Sequence, residues 1–297
     1  MKKARFKIYA VSLLFTIFSI GPACAQTTLQ VISKTIADEV VWKEGVKLEI
    51  NGDNAEIHCE AYEGNTIQYE IQFIAKHPEK EKAENDLGKM KWISGRQGKT
   101  LFMRNYIELS QDETRPESNL KAIYHIKIPE QCPLTINNYF GEIIVKNIQN
   151  YLIIKSEFAA VTLNNIKGDI DLESKFGDIT ATSLEGNIQI ISNRSNINLS
   201  EISGLINIEA IVAEISLDKI HNLNRLNITA EKSETRLSCG NNYRFVLGLK
   251  KVDFDKPDWM KIDSPQKNDI AQKSNFIAHP EYPIIDMKLT IGTLEIK

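Results

Sequence analysis

The chain has 297 residues, with 36 Lys and Arg against 39 Asp and Glu and a formal net charge of −3. It is long enough to bury a substantial core and to form one elongated domain. An acidic balance of this kind gives it no electrostatic reason to bind nucleic acid.

Residues 1–25 open with Lys2, Lys3, Arg5 and Lys7, continue through an apolar run from Ile8 to Ile20, and end on Ala23-Cys24-Ala25. A basic start, a short apolar segment and an A-x-A ending predict a secretory signal peptide cleaved after Ala25, too short for a membrane span. Lipid attachment at Cys24, giving an outer-membrane lipoprotein, is the alternative; Gly21 stands where the lipid box wants an aliphatic residue. Cleavage would leave 272 residues with a net charge of −7 and three cysteines, Cys59, Cys132 and Cys239. Three thiols in an oxidising compartment allow at most one internal disulfide. No other long apolar run exists, so no transmembrane segment is expected.

Residues 26–130 read as a β-rich N-terminal cap with the first coils. Val46-Leu48-Ile50, Ile57-Cys59-Ala61 and Ile67-Tyr69-Ile71-Phe73 alternate with polar residues, as strands with one buried face do. Between Pro78 and Met90, Ala83, Leu87 and Met90 fall at helical spacing, which predicts one short surface helix. Strands follow at Thr100–Tyr106 and Leu120–Ile128, the second leading straight into the first regular coil.

Residues 131–238 repeat every eighteen residues. Gly141-Glu142-Ile143, Ala159-Ala160-Val161, Gly177-Asp178-Ile179, Ser195-Asn196-Ile197 and Ala213-Glu214-Ile215 form one series, and Gly168-Asp169-Ile170, Gly186-Asn187-Ile188 and Gly204-Leu205-Ile206 form a second, half a period away. A fixed period of this length marks a solenoid. Each half alternates apolar and polar, giving two strands per coil, and a small residue heads each strand where the chain bends. Apolar residues do not recur every six positions, which excludes three hexapeptides per turn. The outward column Glu142, Ala160, Asp178, Asn196, Glu214 never stacks two carboxylates, as an in-register stack about 4.8 Å apart requires. A two-residue register shift follows Leu217, with a bulge expected at His221–Leu223. The predicted fold is therefore an all-β parallel β-solenoid with about 18 residues per coil.

Residues 239–297 loosen into an excursion with Pro257, Pro265 and Pro280, then recover at Ile291-Gly292-Thr293-Leu294-Glu295-Ile296, expected to be the C-terminal capping strand. Some six coils of about 4.8 Å separate Cys132 from Cys239. Disulfide α-carbons must lie within about 7 Å, so only Cys59 could pair with Cys132.

The phrases Tyr139-Phe140-Gly141-Glu142-Ile143 and Lys175-Phe176-Gly177-Asp178-Ile179, with the lead-in Lys127-Ile128-Pro129 and Leu134-Thr135-Ile136, resemble the "putative adhesin" family of exported Gly-Asp-Ile repeat proteins, related to auto-transporter adhesin heads. The resemblance covers residues 120–238. It implies a right-handed coil in the cell envelope, in the periplasm or at the surface, and brings no catalytic residues. The chain departs from the pattern at Arg194, Ser195 and Ala213.

Two clusters are candidate binding sites. Phe140, Phe158 and Phe176 recur at one-coil spacing. Strict alternation would point them outward as an aromatic ladder able to meet a glycan, whereas a bend at the small residue would fold them inward as a corner stack; inward packing is the preferred reading. Arg194 extends the column as a cation over Phe176. Asp169, Asp171 and Glu173 leave one strand together, with Glu209 two coils away; a solvated acidic face is preferred over a calcium site, which wants six to eight oxygens from a shaped loop. His58, His77, His125, His221 and His279 have no ligand spacing, so no metal or other cofactor is expected. The expected function is a non-enzymatic exported adhesin or scaffold whose partner is an envelope glycan or a surface protein. A polysaccharide-acting β-helix enzyme is the alternative, although an eighteen-residue coil leaves little loop to build a catalytic cleft.

Overall fold

The computed structural model describes residues 28–111, 114–260, 272–275 and 281–297. The expected signal peptide and Cys24 lie outside the described residues, as does most of the proline-bearing excursion.

Among the described residues the chain is all-β with one short helix. Its N-terminal part comprises β1 (Gln30–Val41), β2 (Lys47–Tyr62), β3 (Thr66–His77), α1 (Lys80–Lys89), β4 (Met90–Gln97), β5 (Thr100–Ile107) and β6 (Asn119–Pro129). The repeats occupy β7 (Leu134–Lys146), β8 (Leu152–Lys167), β9 (Ile170–Lys175), β10 (Ile179–Asn193), β11 (Ile197–Ile211) and β12 (Glu214–Leu237). The chain ends with β13 (Arg244–Asp255), β14 (Gln272–Asn275) and β15 (Ile284–Ile296). All fifteen strands join one open mixed sheet, ordered β1-β3-β6-β2-β7-β8-β9-β10-β11-β12-β15-β13-β14, with β5 on β2 and β4 on β5.

Through the repeats every pairing is parallel, and as far as Ile202 beside Ile220 it links residue i to i+18. Ile143 lies beside Val161, Val161 beside Ile179, Ile179 beside Ile197 and Ile197 beside Ile215. The other half runs from Leu134 through Leu152, Ile170 and Ile188 to Ile206. These columns are buried and form one continuous core with the N- and C-terminal strands. The outward column is paired as the charge pattern requires: Asn196 N–H donates to Asp178 Oδ1 at 3.0 Å, and Glu214 N–H to Asn196 Oδ1 at 3.1 Å. The two-residue shift falls between Ile202/Ile220 and Leu205/Arg225, across the expected bulge.

Two left-handed kinks mark each repeat. One column is Phe140, Phe158, Phe176, Arg194 and Val212, with φ between 55° and 65°; the other is Asn147, Asn165, Ser183, Glu201 and Lys219, with φ between 51° and 61°. Neighbouring repeats hold the first column in this costly region: Phe176 N–H donates to Asn193 O, Arg194 N–H to Ile211 O and Val212 N–H to Glu231 O, at 2.9–3.1 Å. Glycine is required where repeats press closest. A Cβ on Gly186, whose φ is +142°, would lie 2.0 Å from Gly168 O.

Both ends differ from the expected order of winding. β6 does not lead straight into the first repeat: β2 lies between β6 and β7, pairing in parallel with each. At the other end β15 pairs with β12 as expected, Leu294 opposite Thr235 and Ile296 opposite Leu237, yet it is not the capping strand. β13 covers its far side in parallel, and β14 borders β13. In each case an apolar strand still has an open edge after its first pairing, and a segment distant in sequence fills it. Antiparallel β1 and β3 close the N-terminal end, where α1 packs against them with Ala83 and Leu87 buried. Cys59, Cys132 and Cys239 are free thiols, the first two buried.

Candidate functional site

The first kink column builds an aromatic ladder. At the Phe158 kink, Ser156 before it is buried (5% exposed) and Ala159 after it is buried (1%), while Glu157 and Phe158 between them face out. The left-handed residue thus absorbs a phase change between two alternating strands and throws its own side chain outward. The preferred expectation of inward packing is therefore corrected: Phe140, Phe158 and Phe176 are 44%, 39% and 44% exposed. At Phe158 the small residue Ala159 enters the core in place of the ring.

The rings still stack on one another. Phe140 and Phe158 have centroids 5.0 Å apart at 18°, and Phe158 and Phe176 4.8 Å apart at 5°. The Arg194 guanidinium covers the next face, 5.7 Å from the Phe176 centroid, as expected. Tyr139 stands nearly perpendicular to the stack, 4.5 Å from Phe140 and 5.8 Å from Phe158. Both faces of Phe158 are thus occupied, and the ladder offers ring edges to solvent. Ile211 and Val212 carry the exposed apolar ridge two repeats further.

Beside the ladder runs an open groove of about 630 Å³, lined by Asn51, Asn137, Tyr139, Lys155, Glu157 and Glu173, and by Asp53, Arg104 and Lys175 around them. Its floor is polar. Asn138 Nδ2 donates to Ala55 O at 2.8 Å, and its amide occupies the space that a side chain at Gly52 would fill. Asn137 Nδ2 donates to Asn51 Oδ1 at 2.9 Å. Arg104, Lys155 and Lys175 balance Asp53, Glu157 and Glu173, so the groove has no net charge.

No protein-family model and no curated protein matches the chain. The chain is similar to several solved structures, among them the following three. A "putative adhesin" from Bacteroides fragilis is 14% identical, with 89% of this chain and 97% of that one covered and a TM-score of 0.50. A "putative cell adhesion protein" from Clostridium sporogenes is 13% identical over 89% and 99% of the chains, with a TM-score of 0.29. A "putative lipid binding protein" from Parabacteroides distasonis is 10% identical over 89% and 97%, with a TM-score of 0.44. At these identities the likeness to the B. fragilis protein is one of fold.

The acidic candidates do not converge. Asp169 accepts from Asn187 Nδ2 at 2.9 Å, Asp171 accepts from the Tyr151 hydroxyl, and Glu173 pairs with Lys175 at 3.3 Å. Only Glu173 of the three reaches the groove. Among the described residues no three His, Cys, Asp or Glu side chains group as metal ligands, and no helix is long and apolar enough to cross a membrane.

Two residues without sequence spacing do meet. His58 on β2 and His125 on β6 are directly paired, with ring centroids 5.0 Å apart. Burial, then the neighbouring His125, lowers the His58 pKa. The signal that would have revealed the pair is the register of β2 on β6, invisible because these strands are neither adjacent in sequence nor members of the repeat.

Proposed function

We infer that this chain is an exported, non-enzymatic, right-handed β-solenoid of the cell envelope that acts as an adhesin-type binding protein. The eighteen-residue parallel register supports the solenoid, and the basic-apolar opening of residues 1–25 supports export. The exposed ladder carries the binding role. Three stacked aromatic rings left open to water beside a polar groove form an apolar patch of the kind that marks an interaction surface. Ring faces taken up by stacking leave Tyr139 and the ladder's edges as the apolar wall. Asparagine amides and balanced charges supply the polar partners. That combination suits a neutral, hydroxyl-rich chain such as an envelope glycan.

A glycan array that includes anionic polysaccharides, read for binding and for cleavage, tests this. The expected result is retention of neutral glycans by the wild type and loss of retention with Tyr139→Ala or Lys155→Ala. Selective retention of polyanions would overturn the ligand class. Cleavage of any polysaccharide would overturn the non-enzymatic reading.

A further inference from the structure

A second cavity, of about 800 Å³, opens on the outward face of the N-terminal strands and contains both His58 and His125. The two histidines occupy opposed positions on parallel β2 and β6. Across β6, His125 is opposed in turn by Glu70 of β3, so the row reads His58, His125, Glu70 over three strands. His125 is exposed and His58 half-buried, so water reaches both. Their rings are tilted by 44° with centroids 5.0 Å apart. Among the described residues neither imidazole hydrogen-bonds to a protein group, which leaves their lone pairs uncommitted. A nitrogen ligand holds zinc or its neighbours at about 2.0–2.1 Å, and two imidazoles on facing strands can reach one ion between them. Nearby charge does not decide against a cation: Glu60, Glu70, Asp38 and Glu39 line the cavity against Lys127 and Lys146.

We propose that His58 and His125 together bind one imidazole-preferring divalent transition-metal ion, of the Cu²⁺, Ni²⁺ and Zn²⁺ class, with water completing its coordination. The pair is a binding site separate from the ladder and its groove. With two protein ligands the ion is exchangeable, and selectivity follows the intrinsic order in which Cu²⁺ binds more tightly than Ni²⁺ or Zn²⁺. Ca²⁺ and Mg²⁺, which prefer oxygen shells, are excluded.

The test is titration of the purified wild-type protein with CuCl₂ and NiCl₂, followed by calorimetry and by electron paramagnetic resonance of the copper form. The expected result is one ion per chain whose spectrum shows coupling to two imidazole nitrogens. His58→Gln and His125→Gln each remove one coupling and weaken binding at least tenfold, while His221→Gln leaves both unchanged. Circular dichroism establishes that each variant is folded; because His125 is exposed, His125→Gln provides the arm least exposed to misfolding. Copper bound equally well by the His58→Gln/His125→Gln double variant would mean an adventitious ion only and overturn the proposal. So would a wild-type spectrum without two-nitrogen coupling, or Ca²⁺ competing at equal concentration.

Discussion

Replacing Phe158 by alanine and by glycine separates the ring from the backbone beneath it. Removing a fully buried phenylalanine costs about 3–5 kcal/mol. Phe158 is 39% exposed, so the ring it shares with Phe140 and Phe176 should contribute roughly six-tenths of that, about 2–3 kcal/mol, and Phe158→Ala should lose this much. Phe158→Gly removes the same ring and also relieves the left-handed φ of 55°. That relief is roughly 1–2 kcal/mol, against a loss of about 0.4–1 kcal/mol from the greater freedom of glycine in the unfolded chain. Phe158→Gly should therefore be more stable than Phe158→Ala by about 0.5–1 kcal/mol, whereas glycine within an ordinary strand is the worse of the two by a similar amount. Equilibrium urea unfolding followed by circular dichroism reads the difference directly. A Phe158→Gly protein less stable than Phe158→Ala would refute the left-handed kink.

Four further substitutions probe the frame around the site. Ile179→Asp places a charge at a fully buried position and should cost several kcal/mol in the same urea assay, while Asp178→Asn next to it keeps an acceptor for Asn196 and should change stability by less than about 0.5 kcal/mol. Gly186→Ala drives a Cβ against the Gly168 carbonyl and should lose about 1–3 kcal/mol; a neutral result in thermal melts would contradict the close approach of these repeats. Asp86, buried under the loop that follows β5, is pushed up in pKa by burial, but hydrogen bonds from Ser118 and the Lys89 ammonium outweigh this and hold it below the usual carboxylate range. Its contribution is therefore present above the unfolded pKa of about 3.9 and fades as pH falls through the lower folded value. Asp86→Asn should cost about 1–3 kcal/mol at pH 7, and the gap to wild type should shrink below about pH 4.

The thiols provide a ruler for the length of the stack. Burial pushes Cys132 and Cys239 up to about 12, and Cys59 higher still, so all three should react slowly with a thiol reagent in the native protein and fully in denaturant. Peptide mapping of the unreduced protein should find no bridge between Cys132 and Cys239; finding one would contradict the layers that separate them.

The repeats were legible because their chemistry is local and periodic. A column such as Ile143, Val161, Ile179, Ile197 and Ile215 announces both its burial and its partners, since the partner is always eighteen residues away. The ends were not legible, for the opposite reason. β2 carries an alternating pattern that fits any strand with one buried face, and nothing in Leu48, Ile50 or Ile57 states that residues 134–146 will lie on one side of it and 119–129 on the other. The same loss of information hid the His58–His125 pair.

The ladder shows a subtler limit. Traced back from Val161, alternation points Phe158 outward; traced forward from Ile154, it points Phe158 inward. The sequence carries both phases, and only the kink between them decides. Glycine would have advertised that kink, but this column holds Phe, Arg and Val at positive φ. Tolerance of such residues follows from the stack itself, because the hydrogen bonds that the kinked N–H groups of Phe176, Arg194 and Val212 donate to the next repeat fix a conformation that an isolated strand would avoid. Once the backbone is held by its neighbours, the outward side chain is freed from any duty in the core. Its identity can then answer to what meets the surface, and in three successive repeats it is phenylalanine.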